Sequence, residues 1–205
     1  MGHAKFNQTD FLTAALAIVA AHGPAAVTIA SITAKLKAPT GSLYHRFASR
    51  NVLLGALWLR TVFNFQEGIS SAIDDGDGLR AALHTPVWAR AHLDEARLLL
   101  LYDRKDFVRD EWPEELRERV AEMTQRMQAG SMRHARLIFG QDGPDEVRLA
   151  QFLIAEVPVA AVRQHLVRGE PPPPLVDRLI RTTYRAVLAD YLAQKRKAGV
   201  AKRAV

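Results

Sequence analysis

The sequence predicts an all-α protein in two parts: an N-terminal three-helix bundle with a helix-turn-helix, followed by a larger helical domain. Apolar residues recur at three- and four-residue spacing along the chain, and proline or glycine separates the segments that show this pattern. With 205 residues and 48% hydrophobic content, the chain can bury a sizeable core. We expect the first unit to span residues 1–48 and the second to span residues 49–205.

The first three helices follow from their apolar faces and end signals. Residues 7–22 carry a broad apolar face that ends at Gly23-Pro24. Thr28 suits the N-cap of a short helix that runs through Leu36, and Pro39 forces a turn before a helix that starts near Thr40. These three helices are expected to share one core, formed by Phe11, Leu16, Val19, Val27, Ile29, Ile32, Leu36, Leu43 and Phe47.

The helix that starts near Thr40 has an outward face suited to a DNA major groove. Its inward side chains are Leu43 and Phe47, which leaves Gly41 and His45 on the other side. Gly41 has no side chain to hold the backbone away from DNA, while hydroxyl and imidazole groups bond to base edges or phosphates. A helix N-terminus, as at Arg50, binds phosphate readily. The predicted DNA contacts are Thr28, Thr40, Gly41, Ser42, Tyr44, His45, Arg46 and Arg50.

The segment from about Phe11 to Leu54 resembles the DNA-binding domain of the TetR family of bacterial transcriptional repressors. The resemblance rests on the order and spacing of Thr28-Ile29-Ala30, Leu36, Gly41 to Phe47, Ser49-Arg50 and Leu53-Leu54. Lys37 stands where the family usually has the turn glycine, which implies a strained or differently shaped turn. Asn51 stands where an acidic residue is common. The resemblance implies a homodimeric repressor that reads a palindromic operator in double-stranded DNA.

The larger unit is expected to begin with a long helix over residues 49–73, capped by Ser49 and able to act as a lever between the two units. The acidic run from Asp74 to Gly78 lacks the alternating ligands of a calcium loop and is interpreted as a turn. Pro86 is expected to bend or divide the following helix. Further helices are predicted over residues 79–92, 94–102, 113–140, 144–167 and 174–195.

Aromatic and soft side chains are numerous in the larger unit, and most such residues form core. In the family that the chain resembles, this region encloses a small-molecule inducer, so the resemblance implies a ligand site. The candidate ligand-binding residues are Trp58, Val62, Phe65, Trp88, Tyr102, Met123, Met127 and Phe152. Four histidines are further polar candidates, none with a metal partner at close spacing: His84, His92, His134 and His165.

The last two helices carry apolar residues on more than one face. The helix after Pro174 has one apolar stripe along Val176 and Ile180 and a second along Leu175 and Leu179. We expect these helices to form a four-helix interface with a second copy, as the resemblance implies; the alternative is that both are buried within one chain.

Positive charge is concentrated at the two ends of the chain. Residues 1–50 carry a net charge of +4 and the tail from Lys195 carries +5, while residues 51–194 carry −3. The basic N-terminal unit has the charge that phosphate binding requires. The basic tail is expected to be a solvated helix end rather than a second DNA contact.

The remaining function classes are disfavoured. The sequence has no cysteine, nucleophile elbow, glycine-rich phosphate loop or zinc motif, so we expect no catalytic residues, cofactor or metal. No leader is recognised and the longest apolar stretch is too short to span a bilayer, which favours a cytoplasmic protein without membrane contact. The open alternative is a DNA-binding or adaptor protein of the same fold that a protein partner controls. A helical structural protein leaves the polar face from Thr40 to His45 unexplained.

Overall fold

The computed structural model describes residues 6–108 and 112–203, with side chains described through residue 197. Every regular element within these ranges is helical, which confirms the predicted all-α fold. The N-terminal helices are α1 (Gln8–His22), α2 (Ile29–Leu36) and α3 (Thr40–Tyr44). The following helices are α4 (Arg50–Asp74), α5 (Gly78–Ala91), α6 (Leu93–Leu101), α7 (Arg104–Phe107), α8 (Arg117–Phe139), α9 (Pro144–Gln151), α10 (Val157–Arg168) and α11 (Pro174–Arg203).

Side-chain caps set the starts of the N-terminal helices. Asn7 and Asp10 form a reciprocal capping box at the start of α1. The hydroxyl of Ser49 accepts a hydrogen bond from the backbone N–H of Val52, 3.2 Å away, at the start of α4. These side chains satisfy backbone donors that a helix start leaves without an intrahelical partner. The predicted cap at Ser49 is therefore confirmed.

The three N-terminal helices share the predicted core. Of the nine residues expected there, only Ile29 and Leu36 are half-buried, and the other seven are buried. The same core continues into the first half of α4 through Leu53, Leu54 and Leu57, each with no exposed surface. Packing is thus continuous from the N-terminal bundle into the long helix that leads to the larger domain.

A second core joins α5, α9, α10 and α11 with the C-terminal halves of α4 and α8. α5 is a single helix with Pro86 buried inside it, so the proline does not divide it. The acidic run before α5 is a turn, as expected, in which Asp77 caps α5 by accepting a hydrogen bond from the N–H of Arg80. The second core therefore surrounds the C-terminal end of the long helix.

The C-terminal helices differ from the prediction in three ways. The helix expected over residues 144–167 contains a π-helical segment, Phe152–Glu156, just before Pro158. Because Pro158 has no N–H to give to the carbonyl of Ile154, the regular helical bonding cannot continue there. The helix expected over 113–140 begins with a 3₁₀ turn, Glu114–Leu116, and α11 continues past Lys195 to Arg203.

Two polar contacts fasten α11 to the larger domain. Arg90 of α5 pairs with Asp177, and the hydroxyl of Tyr191 donates to Oε1 of Glu146 at 2.6 Å. Burial and the hydrogen bond to Glu146 raise the pKa of Tyr191 to about 12.

Among the described residues, no helix is both long and apolar enough to cross a membrane. The described part of the chain also holds no cluster of three or more side chains suited to a metal ion.

Candidate nucleic-acid interface

The start of α2 is fixed by a reciprocal cap. The hydroxyl of Thr28 accepts a hydrogen bond from the N–H of Ser31 at 3.0 Å, and Ser31 Oγ accepts one from the N–H of Thr28 at 2.8 Å. The Thr28 side chain is therefore engaged in the cap, although the residue is exposed. A hydroxyl has one donor and two acceptor positions, so Thr28 keeps hydrogen-bonding capacity for a phosphate.

The turn between α2 and α3 places a non-glycine residue, Lys37, in a backbone conformation that favours glycine. Lys37 ends α2 in the left-handed region, with φ 52° and ψ 40°, and it is the one non-glycine residue with positive φ among those described. Its N–H bonds to the carbonyl of Ala34, and the next N–H bonds to the carbonyl of Thr33. The turn therefore has left-handed geometry without the glycine that usually adopts it at little cost.

Two buried side chains hold α3 in place and turn its other face outward. Leu43 has no exposed surface and Phe47 is 1% exposed. Three predicted contacts, Thr40, Gly41 and His45, lie exposed on or beside α3. Tyr44 is 53% exposed, which is unusual for an aromatic side chain and leaves both its ring and hydroxyl free to contact a ligand. Nothing lies within 4 Å of the position that a Gly41 Cβ would occupy, so the backbone is open to close approach there.

Ser42 and Arg46 interact with each other. Arg46 Nη1 donates to the Ser42 carbonyl at 2.7 Å and lies 3.4 Å from Ser42 Oγ. The guanidinium also lies 5.8 Å from the ring centroid of Phe11 on α1. Arg46 thus ties the end of α3 to α1, and both side chains are only half-exposed.

The side chain of Arg50 turns back to the N-terminal bundle. Its Nε donates to the carbonyl of Val27, and its Nη2 donates to the carbonyl of Pro24 at 2.9 Å. Sequence reasoning expected Arg50 to present its charge to phosphate at the start of α4. In the structure the side chain connects the first turn of α4 to the segment before α2. Its role as a phosphate contact stays a prediction.

The structure does not bring the eight candidate ligand-binding residues into one site. The first core includes four of them, Trp58, Val62, Tyr102 and Met123, whereas Phe65 and Trp88 pack on each other in the second core. Met127 is 53% exposed and Phe152 is 37% exposed. These two were expected to line an interior pocket. Met127 lies in a stretch of α8, residues 124–129, in which every residue is exposed. Phe152 lies on the outer side of the π-helical segment.

Two surface grooves in the larger domain are lined by other residues. One, of about 470 Å³, lies between α4, α5 and α11. The second, of about 300 Å³, lies between α4 and α8 and contains Arg60, Arg119 and Arg126 around Phe63. Burial lowers the pKa of Arg60, and the nearby carboxylate of Glu95 opposes that effect.

Two of the four histidines named as polar candidates from the sequence, His84 and His134, have buried ring nitrogens. His134 has no exposed surface, and neither ring nitrogen has a hydrogen-bond partner. Burial lowers its pKa to about 4. Burial also lowers the pKa of His84, with a smaller opposing effect from a hydrogen bond to the Phe65 backbone. Both imidazoles are therefore neutral near pH 7.

Comparison with known proteins agrees with this geometry. Residues 11–57 match the model of the family described as bacterial regulatory proteins, tetR family. No protein with curated function matches the chain at a significant level. Among solved structures, a protein from Shewanella sp. PV-4 assigned to the tetR family of transcription regulators is 19% identical, with a TM-score of 0.62, over 90% of this chain and 96% of that one.

A second solved structure has a similar fold. The ketosteroid transcriptional regulator KstR2 of Mycobacterium tuberculosis is also 19% identical, with a TM-score of 0.58, over 91% of this chain and 95% of that one. At this identity the two structures establish a shared fold across most of the chain. The family match over residues 11–57 covers most of α1, all of α2 and α3 and the start of α4, and it confirms the resemblance stated from the sequence.

Proposed function

The chain carries the DNA-binding domain of the TetR family of bacterial transcription regulators on a TetR-type fold, and from this premise we propose that it is a homodimeric repressor that reads a palindromic operator and is released by a small molecule. Because operators lie on chromosomal DNA, we place its action in the cytoplasm.

The observation that carries the proposal is the outward face of α3. Thr40, Gly41, Tyr44 and His45 are exposed together on a helix whose inner side is fixed by fully buried side chains. A rigid support with an exposed polar face suits direct reading of base edges, because contacts must be held in a fixed register on the duplex. The excess of basic residues within 1–50 adds attraction to phosphate.

An exposed stripe on α11 supports the homodimer. Leu175 and Leu179 are 49% and 54% exposed, and Leu192 is 43% exposed farther along the helix. The face of Leu175 and Leu179 continues along α11 through small, uncharged, exposed residues: Thr182, Ala186 and Ala189. Phe152 and Val167 are exposed on the preceding helical stretch. A single chain leaves these apolar groups in water, whereas a two-fold pairing of α10 and α11 buries them.

The long helix α4 provides the route from ligand to DNA. Its 25 residues span about 37 Å. Arg50 and the core around Leu53 attach its first turns to the DNA-binding bundle, while its last turns belong to the second core. A ligand that changes the packing of the second core therefore moves the DNA-binding bundles of both protomers. Their spacing then no longer fits the half-sites, which lie about one helical turn of DNA apart.

The experiment that tests the proposal is selection of bound duplexes from a random DNA pool by the purified full chain. We expect a palindrome to be enriched, with an affinity that falls as salt rises. Sequence-independent, steeply salt-dependent binding alone would defeat the operator-reading proposal. In that case control by a protein partner becomes the favoured function.

A further inference from the structure

We propose that the groove between α4, α5 and α11 is the regulatory ligand site and that it takes a small molecule with an apolar body and one carboxylate. This inference rests on the proposed function, since it names the site and the ligand class through which that regulation acts. None of the eight residues predicted from sequence lines this groove.

The size and lining of the groove suit an apolar small molecule. Its volume of about 470 Å³ lies within the range of ligand sites in proteins, about 300–1,000 Å³. Leu79, Leu83 and Val87 follow one another along one side of α5 and supply an aliphatic wall. Val87 is 51% exposed, so this wall is in contact with water in the free protein. An apolar ligand body covers it and gains the free energy of its burial.

The charge in the groove favours an anion. Arg181 of α11 lines the groove, and its guanidinium has no hydrogen bond or ion pair to any residue that the structure describes. The second arginine there, Arg80, already pairs with Asp75 and donates to the carbonyl of Ser71. The acidic lining residue, Asp77, accepts the N–H of Arg80 as the cap of α5. Arg181 is thus the charged side chain left for a ligand, and its planar guanidinium binds a carboxylate through two parallel hydrogen bonds.

The groove wall also contains a buried imidazole. His84 lines the groove, and its Nε2 is buried without a hydrogen-bond partner. The imidazole also bonds to the backbone of Phe65, which leaves Nε2 as the free nitrogen. A buried polar atom without a partner costs free energy, and this nitrogen has no surface that a ligand in the groove could reach while the ring lies against Gly68.

Gly68 of α4 makes this wall possible. A Cβ at this position would lie 2.1 Å from Cε1 of His84 and 2.5 Å from its Nδ1. Only glycine lets the imidazole lie against α4 in this way. The ligand would therefore touch the long helix, through Gly68 and Ser71, and α11 at the same time. A molecule bound there changes how α4 and α11 each pack on α5 and so moves the long helix, as the proposed release requires.

The probe is a series of straight-chain carboxylates from hexanoate to dodecanoate, titrated into the full chain by calorimetry below the micelle concentration. The matched comparators are decan-1-ol and decylamine, which keep the apolar body and remove or invert the charge. We expect saturable binding of at least one carboxylate, about tenfold weaker binding of decan-1-ol and no binding of decylamine.

Substitutions in the protein give the complementary test. Arg181→Gln is expected to weaken carboxylate binding about tenfold, and Val87→Asp is expected to abolish it by placing a negative charge in the exposed wall. Arg178→Gln is the control, since Arg178 is an exposed arginine one turn away on α11 and outside the groove. Equal binding by the Arg181 and Arg178 variants, or no saturable binding by any carboxylate, would overturn the proposal.

Operator affinity, measured with and without the carboxylate, distinguishes a failure of the proposed ligand site from a failure of the proposed DNA-reading function. If a carboxylate binds in the groove and lowers operator affinity, both are supported. If it binds in the groove without changing operator affinity, the site stands and the coupling to DNA fails. If the chain reads its operator but no carboxylate binds, the groove assignment fails and the DNA-reading function stands.

Discussion

The guanidinium of Arg90 and the carboxylate of Asp177 form a bidentate pair between α5 and α11, with Nη1–Oδ1 at 3.0 Å and Nη2–Oδ2 at 2.8 Å. Both side chains are less than one-third exposed, and Arg90 also contacts the carbonyl of Pro172 at 3.3 Å. The pair joins the helix that lines the proposed ligand groove to the helix that carries the proposed dimer face. It therefore holds together the two helices between which a ligand would act.

The contribution of this pair is measurable in a double-mutant cycle. Arg90→Gln and Asp177→Asn are each expected to destabilise the fold, with a coupling free energy of about 1 kcal/mol in urea unfolding, because the pair is bidentate and half-buried. The exposed pair of Arg126 and Glu122 on α8 is the control and should show about 0.3–0.5 kcal/mol. If the coupling free energy of Arg90 and Asp177 is no larger than that of Arg126 and Glu122, the bidentate geometry does not increase stability.

Arg50 tests whether geometry or charge dominates at the start of α4. Arg50→Lys keeps the charge but cannot reproduce both hydrogen bonds to the carbonyls of Pro24 and Val27. We expect a loss of about 2 kcal/mol in the free energy of unfolding and weaker operator binding, since the bundle is less firmly attached to α4. Urea unfolding and fluorescence anisotropy with operator DNA measure the two effects. If the Arg50→Lys variant retains full affinity, the residue acts through its charge on phosphate.

The α3 face is tested by comparing sequence preference with overall affinity. Tyr44→Ala should weaken binding to all duplexes, because we expect this exposed tyrosine to contact the DNA backbone, which has the same chemistry in every sequence. His45→Ala and Ser42→Ala should change the preferred bases, with a loss of discrimination of about 1–3 kcal/mol at the position read. Thr13→Ala, on an exposed position of α1, is the control. Uniform losses at all sequences for all three variants would show that α3 contacts no bases.

Much of the N-terminal bundle could be predicted because its signals are local. A capping residue, a three- and four-residue apolar spacing and a proline each act within one turn of chain, so Thr28, Ser49 and Pro39 mark helix ends correctly. The left-handed conformation of Lys37 was indicated by the family resemblance, since Lys37 stands where the family usually has the turn glycine.

The groove that we propose as the ligand site could not be predicted because its parts meet only in the folded chain. Trp58 and Trp88 share an aromatic character but belong to different cores. Nothing in the sequence distinguishes Arg181 from the other arginines of α11, because only the packing of α5 beside α11 places it in the groove. One signal was present: Gly68 stands in the middle of a long helix, where glycine costs about 1 kcal/mol relative to alanine, and such a position indicates a close approach.

Leu179 tests the proposed dimer face. Leu179→Glu should convert the protein to a monomer, because a charge placed in a buried two-fold contact is repeated on the partner and cannot be solvated there. Affinity for the palindrome should fall by more than about a hundredfold, since one monomer reads one half-site. Light scattering coupled to chromatography measures the mass. Met132→Glu, at a 46% exposed apolar residue of α8, should leave the mass unchanged. If the Leu179→Glu variant remains a dimer, the interface does not lie on this face of α11.

The buried imidazole of His134 should make stability depend on pH in a defined window. Its pKa is lowered by burial to about 4, whereas in the unfolded chain it is near 6.5. Between these values the unfolded state binds a proton that the folded state excludes, so stability falls as pH falls from about 6.5 to 4. The shift corresponds to about 3 kcal/mol across this window.

His134→Leu removes the titrating group and both nitrogens that lack partners. We expect the variant to be more stable than the parent by about 1–2 kcal/mol at pH 7, because an apolar side chain of similar size avoids the cost of unpaired buried nitrogens. Its advantage should grow as pH falls toward 4, where only the parent is destabilised by excluding the proton. Urea unfolding at a fixed protein concentration, at intervals from pH 7 to 4, gives both curves, and the carboxylates common to both chains cancel in their difference. Parallel curves would mean that His134 gains a proton equally in the folded and unfolded states.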